Sequence, residues 1–248
     1  VVAIGGDGTA HEVLNGLMEV PAEKRPVMGV IPLGSGNDFC ANVGNTKDPD
    51  EVAKAILAGH TKTIDIATLE DESGRKEYWG NTINIGFGGS VTIFFPTVRF
   101  FRGFPRYILT VLKVIFSNYI IMKTKIKMDE KEFETETIML ALNNGPREGG
   151  GFHTGPKALM DDGELDITIV DKVSRLKMLM LLIPFMNGTQ EKDPAVSMDR
   201  FKKIEIESDQ PLYLHADGEL FAGLNHDVHY LKVEVLTQAL KVIVPESK

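Results

Sequence analysis

The 248-residue chain is 43% apolar and 25% charged, which excludes a wholly disordered chain, a collagen and a disulfide-stapled miniprotein. Its 27 basic and 35 acidic residues leave a net charge of −8, the wrong sign for a general nucleic-acid binder. Its one cysteine, Cys40, allows neither an internal disulfide nor a thiolate zinc cluster, and no apolar run reaches the ~18 residues of a transmembrane helix.

Val1–Ile4 reads as a strand running into Gly5-Gly6-Asp7-Gly8-Thr9. A buried parallel strand needs neighbours on both edges, so a segment ahead of Val1 is expected to be missing; an edge strand is the alternative. A helix is predicted from Ala10 to Met18, with Val13, Leu14 and Leu17 as its apolar stripe. Val27–Ile31 is a second strand, followed by Pro32-Leu33-Gly34-Ser35-Gly36-Asn37-Asp38 and a helix over Pro49–Ala58, with Gly59 past its end. Residues 1–64 thus read as a doubly wound α/β lobe, whose ligands bind at the carboxyl ends of the strands. Strands dominate from Thr63: Thr63–Leu69, Tyr78–Gly86, Lys123–Met128, Thr135–Asn143, Leu165–Val170, Lys202–Ser208, Pro211–Ala216, Asp227–Leu236 and Leu240–Val244. Helices are expected near Pro105–Phe116 and Leu176–Pro184. Residues 65–238 read as a β-rich, sandwich-like lobe, and 239–248 are expected to return to the first lobe as a strand or tail.

Four short constellations carry chemistry. The glycines of Gly5–Thr9 let backbone N–H groups approach an anion, and a helix amino end adds favourable potential for phosphate. Thr9 can donate a hydroxyl, and Glu12 can hold a donor or water one turn on. Asp7 repels bare phosphate, so a divalent cation is the natural mediator. The alternative is a plain glycine turn capped by Asp7 or Thr9. In the second turn Ser35 suits phosphate or ribose, while Asn37 and Asp38 line the site or cap the next helix. Asp161-Asp162-Gly163 offers carboxylates and carbonyls to a hard cation, or is an ordinary Asp-Gly turn. Asp217-Gly218-Glu219 ends a strand, which fixes a carboxylate yet leaves it reachable; a surface hairpin is the alternative. A fifth pattern is one of charge. No acid lies between Glu77 and Asp129, where Arg99, Arg102, Arg106, Lys113, Lys123, Lys125 and Lys127 fall among phenylalanines. Such a segment suits an anionic leaflet, unless the phenylalanines are core and the cations a solvated rim. His11 reads as a helix-surface residue.

Taken together, Gly5-Gly6-Asp7-Gly8-Thr9, Glu12-Val13-Leu14-Asn15-Gly16-Leu17 and Pro32-Leu33-Gly34-Ser35-Gly36-Asn37-Asp38-Phe39 resemble the diacylglycerol kinase catalytic family, most closely the soluble bacterial YegS-like lipid kinases. The resemblance continues through Asn143-Asn144-Gly145, Gly149-Gly150-Gly151, Pro156-Lys157-Ala158, Asp161–Asp166 and Asp217-Gly218-Glu219, and covers residues 1–245. It implies an NAD kinase-like α/β nucleotide-binding lobe facing a β-rich lobe, with ATP between them. The family's opening strand and Asn-Pro-x-(Ser/Ala)-Gly turn have no counterpart here, in line with the missing segment. By the same resemblance Gly5, Gly6, Asp7, Gly8, Thr9, Glu12 and Ser35 hold ATP, Glu219 is the general base and Asp7 a catalytic partner. Magnesium sits at Asp162 with the backbone oxygens of Leu159 and Glu164, and Asp65 joins a water–aspartate–magnesium network with Asp7. The implied reaction moves the terminal phosphoryl group of ATP to a lipid hydroxyl, foremost diacylglycerol. The implied setting is cytoplasmic, with peripheral membrane contact and room for a homodimer. Other lipids such as phosphatidylglycerol, a sphingoid base or undecaprenol stay open. So do a non-catalytic nucleotide-binding fragment and a soluble-substrate kinase of the NAD kinase type.

Overall fold

The computed structural model describes residues 1–245. Its first lobe contains β1 (Val2–Gly5), α1 (Asp7–Met18), β2 (Gly29–Pro32), α2 (Asp38–Asn42) and α3 (Pro49–Ala58). β1 and β2 pair in parallel, with Ala3 opposite Val30. Ala10, Leu14 and Leu17 on one face of α1 bury against Met28, Phe39 and Val52. α3 shows why such short helices hold: Asp48 accepts from the Asp50 amide, Pro49 starts the first turn, and Gly59 ends the helix at φ 76°. α1 begins three residues earlier than the sequence suggests. Gly6 takes the N-cap, so Asp7, Gly8 and Thr9 form the first helical turn, with no side chain capping it.

The second lobe contains β3 (Thr61–Asp71), β4 (Lys76–Trp79), β5 (Thr82–Gly86), α4 (Phe87–Phe94), α5 (Phe104–Ser117), β6 (Met122–Met128) and β7 (Lys131–Asn143). It continues through β8 (Leu165–Asp171), α6 (Arg175–Asn187), β9 (Val196–Phe201), β10 (Lys203–Ser208), β11 (Leu214–Ala216), β12 (Glu219–Ala222) and β13 (Tyr230–Ile243). These strands form one antiparallel sheet in the order β12-β11-β5-β7-β6-β10-β13-β3-β4, with β8 and β9 branching from β7. One face buries Ile83, Leu140, Ile167, Phe201, Ile204 and Leu231 in a shared core. Against the other pack α4, α5 and α6, through Val91, Val114, Met178 and Leu181 on Ile138 and Val170. A fully buried side chain of this size contributes about 1.5–3 kcal/mol and an exposed ion pair about 0–1, so apolar burial holds the lobe together. The fold is thus an α/β lobe joined to a β-rich lobe, as the sequence implies.

Several elements differ from expectation. The strand expected over Tyr78–Gly86 breaks at Gly80 and Asn81, whose amides donate to the Asp217 carboxylate rather than to a ladder. α2, α4, β9 and β12 were not predicted. β13 runs unbroken through the gap left between two expected strands, with a bulge between Leu236 and Leu240 where Gln238 adopts φ 48°. Past the bulge Val242 forms a parallel bridge to Met28, which ties the small sheet to the large one. Of the expected closing segment 239–248, residues 246–248 lie outside the described residues. No described helix is long and apolar enough to cross a membrane.

Candidate active site

The carboxyl ends of β1 and β2 open into a cleft of about 630 Å³, within the usual range for a small-ligand site. Its walls include Gly6, Asp7, Gly8, Ser35, Asp217 and Glu219. The two glycine turns meet backbone to backbone: a methyl group built on Gly34 would fall 2.4 Å from the Gly6 Cα. No side chain fits there, so the α1 amino end stays bare toward the cleft, as anion binding requires. The second turn is closed by Asn37, which accepts from the Gly34 amide at 2.9 Å and donates to the Gly34 carbonyl at 2.8 Å. Asp7 locks the two turns together, accepting from the Asn37 amide at 2.8 Å and the Phe39 amide at 3.0 Å. Burial pushes its carboxyl above the usual range despite these bonds, with the neighbouring Asp38 charge adding to the rise. Asp38 also reaches across the cleft to accept from the Gly150 amide at 2.7 Å.

On the opposite wall, Asp217 is a buried knot. Its carboxylate accepts from the amides of Gly80, Asn81 and Thr82 at 2.8–3.0 Å and pairs with His11 Nδ1 at 3.1 Å. His11 is therefore buried, contrary to the surface reading, and its far edge faces Glu77 at 3.7 Å. Burial lowers the His11 pKa, but Asp217 and Glu77 outweigh it and raise it from 6.5 to about 10. Burial likewise disfavours the Asp217 anion, yet His11 and the three amides hold its pKa below 3.8. The protonated His11 thus stabilises the fold fully below about pH 6.5, and this contribution is lost as pH rises through about 10. Urea denaturation at stepped pH should show stability falling over that window, and His11→Gln should flatten the fall. Equal slopes in both proteins would remove His11 from this role.

Asp217, at φ 52°, turns the chain so that Glu219 leads β12 back over α1. A methyl group built on Gly8 would stand 2.1 Å from Glu219 Oε1, so the carboxylate rests against the bare first turn of α1. This contact makes a sharp prediction. Gly8→Ala should displace Glu219 and cut turnover by about a hundredfold. Its melting temperature should hold or rise, since Ala favours a helix by ~1 kcal/mol and the displaced atom is the end of a flexible side chain. Unchanged turnover would show that the contact has no part in the chemistry.

Not every residue singled out in the sequence reaches the cleft. Gly6, Asp7, Gly8, Ser35 and Glu219 meet there, while Gly5, Thr9 and Glu12 are not in its walls. Thr9 leans back over Gly5, and Glu12 points to solvent. Asp65, Leu159, Asp162 and Glu164 belong to a different place. Asp65 is fully buried, accepting from the Gly163 amide at 2.7 Å and the Gln238 amide at 2.6 Å. Asp162 and Glu164 share Arg200, and Asp161 pairs with Lys62 at 3.0 Å. Beside them Asp166 is buried, its Oδ2 accepting no hydrogen bond and lying 3.9 Å from Arg200 Nε, and burial raises its pKa to about 6 even against Arg200. Among the described residues no three His, Cys, Asp or Glu side chains converge as a metal cluster.

One carboxylate of the cleft had no part in the sequence reading. Glu148 is buried and accepts from Thr82 Oγ1 and Asn84 Nδ2, both at 2.8 Å. His215 Nε2 faces it at 3.8 Å, while His215 Nδ1 accepts from the Gly218 amide at 3.1 Å. Burial lowers the His215 pKa from its ordinary value, which disfavours the charged ring. The one sequence signal was the position of Glu148, just ahead of the Gly149-Gly150-Gly151 run.

A glycine-cradled α/β lobe facing a curled antiparallel lobe, with carboxylates on both walls, is the architecture of the NAD kinase-like class. Residues 81–244 match the YegS C-terminal NAD kinase beta sandwich-like domain, and residues 1–69 match the diacylglycerol kinase catalytic domain. The chain belongs to this family of lipid kinases, and is an enzyme. It is 33% identical over 221 residues to a Chromohalobacter salexigens protein named "Probable lipid kinase YegS-like", a match covering 88% of this chain and 69% of the other. A Mycobacterium tuberculosis protein named diacylglycerol kinase is 29% identical over 247 residues, 99% of this chain and 76% of that one. Among solved structures, one described as "a putative diacylglycerol kinase from Bacillus anthracis str. Sterne" superposes with a TM-score of 0.76 at 25% identity, covering 99% of this chain and 78% of that one.

Proposed function

We propose that the chain transfers the terminal phosphoryl group of ATP to the hydroxyl of a membrane lipid, diacylglycerol foremost, giving phosphatidic acid. The observation that carries this reading is the contact of Glu219 with Gly8, which joins a candidate base to a candidate phosphate cradle in one cleft. The amides opening α1, with Ser35, would hold the phosphates. Asp7 would keep the two glycine turns in register and retain acceptor capacity beyond its two amide bonds. Glu219 would take the proton from the lipid hydroxyl as its oxygen bonds the terminal phosphorus and the bond to the departing ADP breaks. Asp217 and His11 would fix the hairpin that presents Glu219.

ATP would bring the phosphoryl group, and magnesium would neutralise negative charge. For a resident magnesium ion, the Asp162 carboxylate, which pairs with Arg200 here, and the backbone oxygens of Leu159 and Glu164 would be the ligands. Asp166 Oδ2 beside this turn accepts no hydrogen bond and has Arg200 Nε at 3.9 Å, so three acids share one arginine, which fits a site with room for a further cation. The setting we propose is the cytoplasmic face of a membrane.

The test is transfer of labelled phosphate from ATP and magnesium to a panel of lipids in mixed micelles, with NAD as a soluble control. Labelled phosphatidic acid is the expected product. Label on another lipid would correct the substrate. Label on NAD alone, or ATP bound with nothing labelled, would overturn the proposal.

A further inference from the structure

The acid-free stretch between Glu77 and Asp129 does not form one basic surface. Lys123, Lys125 and Lys127 lie on the exposed face of β6, opposite Glu136, Glu134 and Glu132 of β7. On the other side Lys125 and Lys127 face Glu207 and Glu205 of β10, and Lys125 pairs with Glu132 at 2.9 Å. Their charge is spent within the sheet.

The rest of the stretch behaves differently, and α6 joins it. No Asp or Glu occurs between Asp171 and Glu191 either. α5 and α6 bury their inner faces in one core on β7 and β8. The outer stripe of α6 stays bare, with Leu176 68%, Met180 62% and Ile183 66% exposed. In the loop before α5, Phe100 is 98% exposed. Lys177 of α6 pairs with Asp193, but the other cations here have no carboxylate partner among the described residues: Arg99 and Arg106 donate to the Pro96 and Phe95 carbonyls, Lys113 donates to Thr97 Oγ1, and Arg175 lies 5.8 Å from the Tyr119 ring. Residues 95, 96, 103, 104 and 107 of the same stretch also line the cleft, so this surface borders its mouth.

We propose that the outer face of α6 and the Phe100–Phe101 loop, with the unpaired cations around them, dock on an anionic lipid leaflet and hold the cleft mouth against it. This rests on the lipid kinase reading for its purpose, but not for its test. Charge decides the occupant. A twofold contact with a second copy would set this cationic patch against itself, whereas an anionic leaflet supplies the missing counter-charge. Bare aromatic and aliphatic side chains among Arg and Lys match the acyl and headgroup layers together. Space agrees. The apolar cavity behind the cleft, lined by Phe87, Val111, Met139 and Phe185, measures about 30 Å³, enough for a water-sized group and too small for an acyl chain. The lipid tails therefore stay in the leaflet while the headgroup enters.

The test is sedimentation of the full chain with phosphatidylcholine vesicles, with and without a third of phosphatidylserine, in the absence of nucleotide. Binding is expected only with phosphatidylserine, and should weaken as salt rises. At about fivefold per cation, Arg99→Gln with Arg102→Gln should weaken it by about 25-fold. Leu176→Gln, Met180→Gln and Ile183→Gln together should weaken it at least tenfold, while phosphorylation of a short-chain, water-soluble diacylglycerol stays at the wild-type rate in both variants. Wild-type binding by both variants would overturn the proposal. So would a loss of binding confined to a Lys123→Gln, Lys125→Gln and Lys127→Gln variant, or a dimer that only the α6 variant dissolves. A chain that docks as expected yet phosphorylates no lipid overturns the kinase reading and leaves the docking surface standing.

Discussion

Glu219→Gln is expected to lower turnover by roughly a hundred- to ten-thousand-fold, the contribution usual for a positioned general base. Glutamine keeps the length and planarity of the side chain, so the contact with Gly8 survives while the proton acceptor is lost. The cleft wall on the α1 side is untouched. Nucleotide binding by calorimetry should therefore stay within a few-fold of wild type, and the melting temperature should not move, since Glu219 is exposed. A variant that turns over at the normal rate would take the base role from Glu219. Buried Glu148, on the same cleft and already engaged by Thr82 and Asn84, would then be the next carboxylate to test.

Asp217→Asn is expected to cost the fold about 3–5 kcal/mol, the usual penalty for removing one partner of a buried ion pair. The backbone is not the cause, because Asn tolerates the positive φ at this position as well as Asp does. The hydrogen bonds are the cause. Asp217 is acceptor-only toward three amides and a protonated imidazole, and the amide group of Asn turns one of its two faces into a donor. In a chain of this size the loss should appear as a drop of roughly 6–20 °C in melting temperature. Turnover should fall with it below the melting transition, since the hairpin that presents Glu219 loses its anchor. A variant melting within a degree of wild type would show that the knot is dispensable.

How much of this was legible in the sequence depended on how local each interaction is. β6 could be read from alternation alone, because Met122, Thr124, Ile126 and Met128 all point inward. The glycine turns were legible because their chemistry lies in consecutive residues. α4 was hidden: Gly88 and Gly89 inside an apolar run weaken any helical signal. β9 was hidden because only Val196 and Phe201, at its two ends, are buried. The break between β4 and β5, and the burial of His11, follow from Asp217, 206 positions beyond His11 in the chain. No local pattern carries that information. The same holds for the charge map, where seven cations that look continuous in sequence divide between a neutralised sheet and an uncompensated surface.

The bridge from Val242 to Met28 has a consequence for how the chain is made. Among the described residues β1 and β2 pair as a small sheet, and Leu240 and Val242 belong to its core. Arg25 of the first lobe donates to the Ala239 carbonyl, 214 positions later. During synthesis the first lobe therefore emerges before β13 and lacks these contacts until β13 leaves the ribosome. Its exposed apolar strands then need a holdase or a slow exit to escape aggregation. Contacts this distant in sequence also place the protein among slow folders. Synonymous codons that alter translation speed near β13 should change soluble yield without altering a single residue.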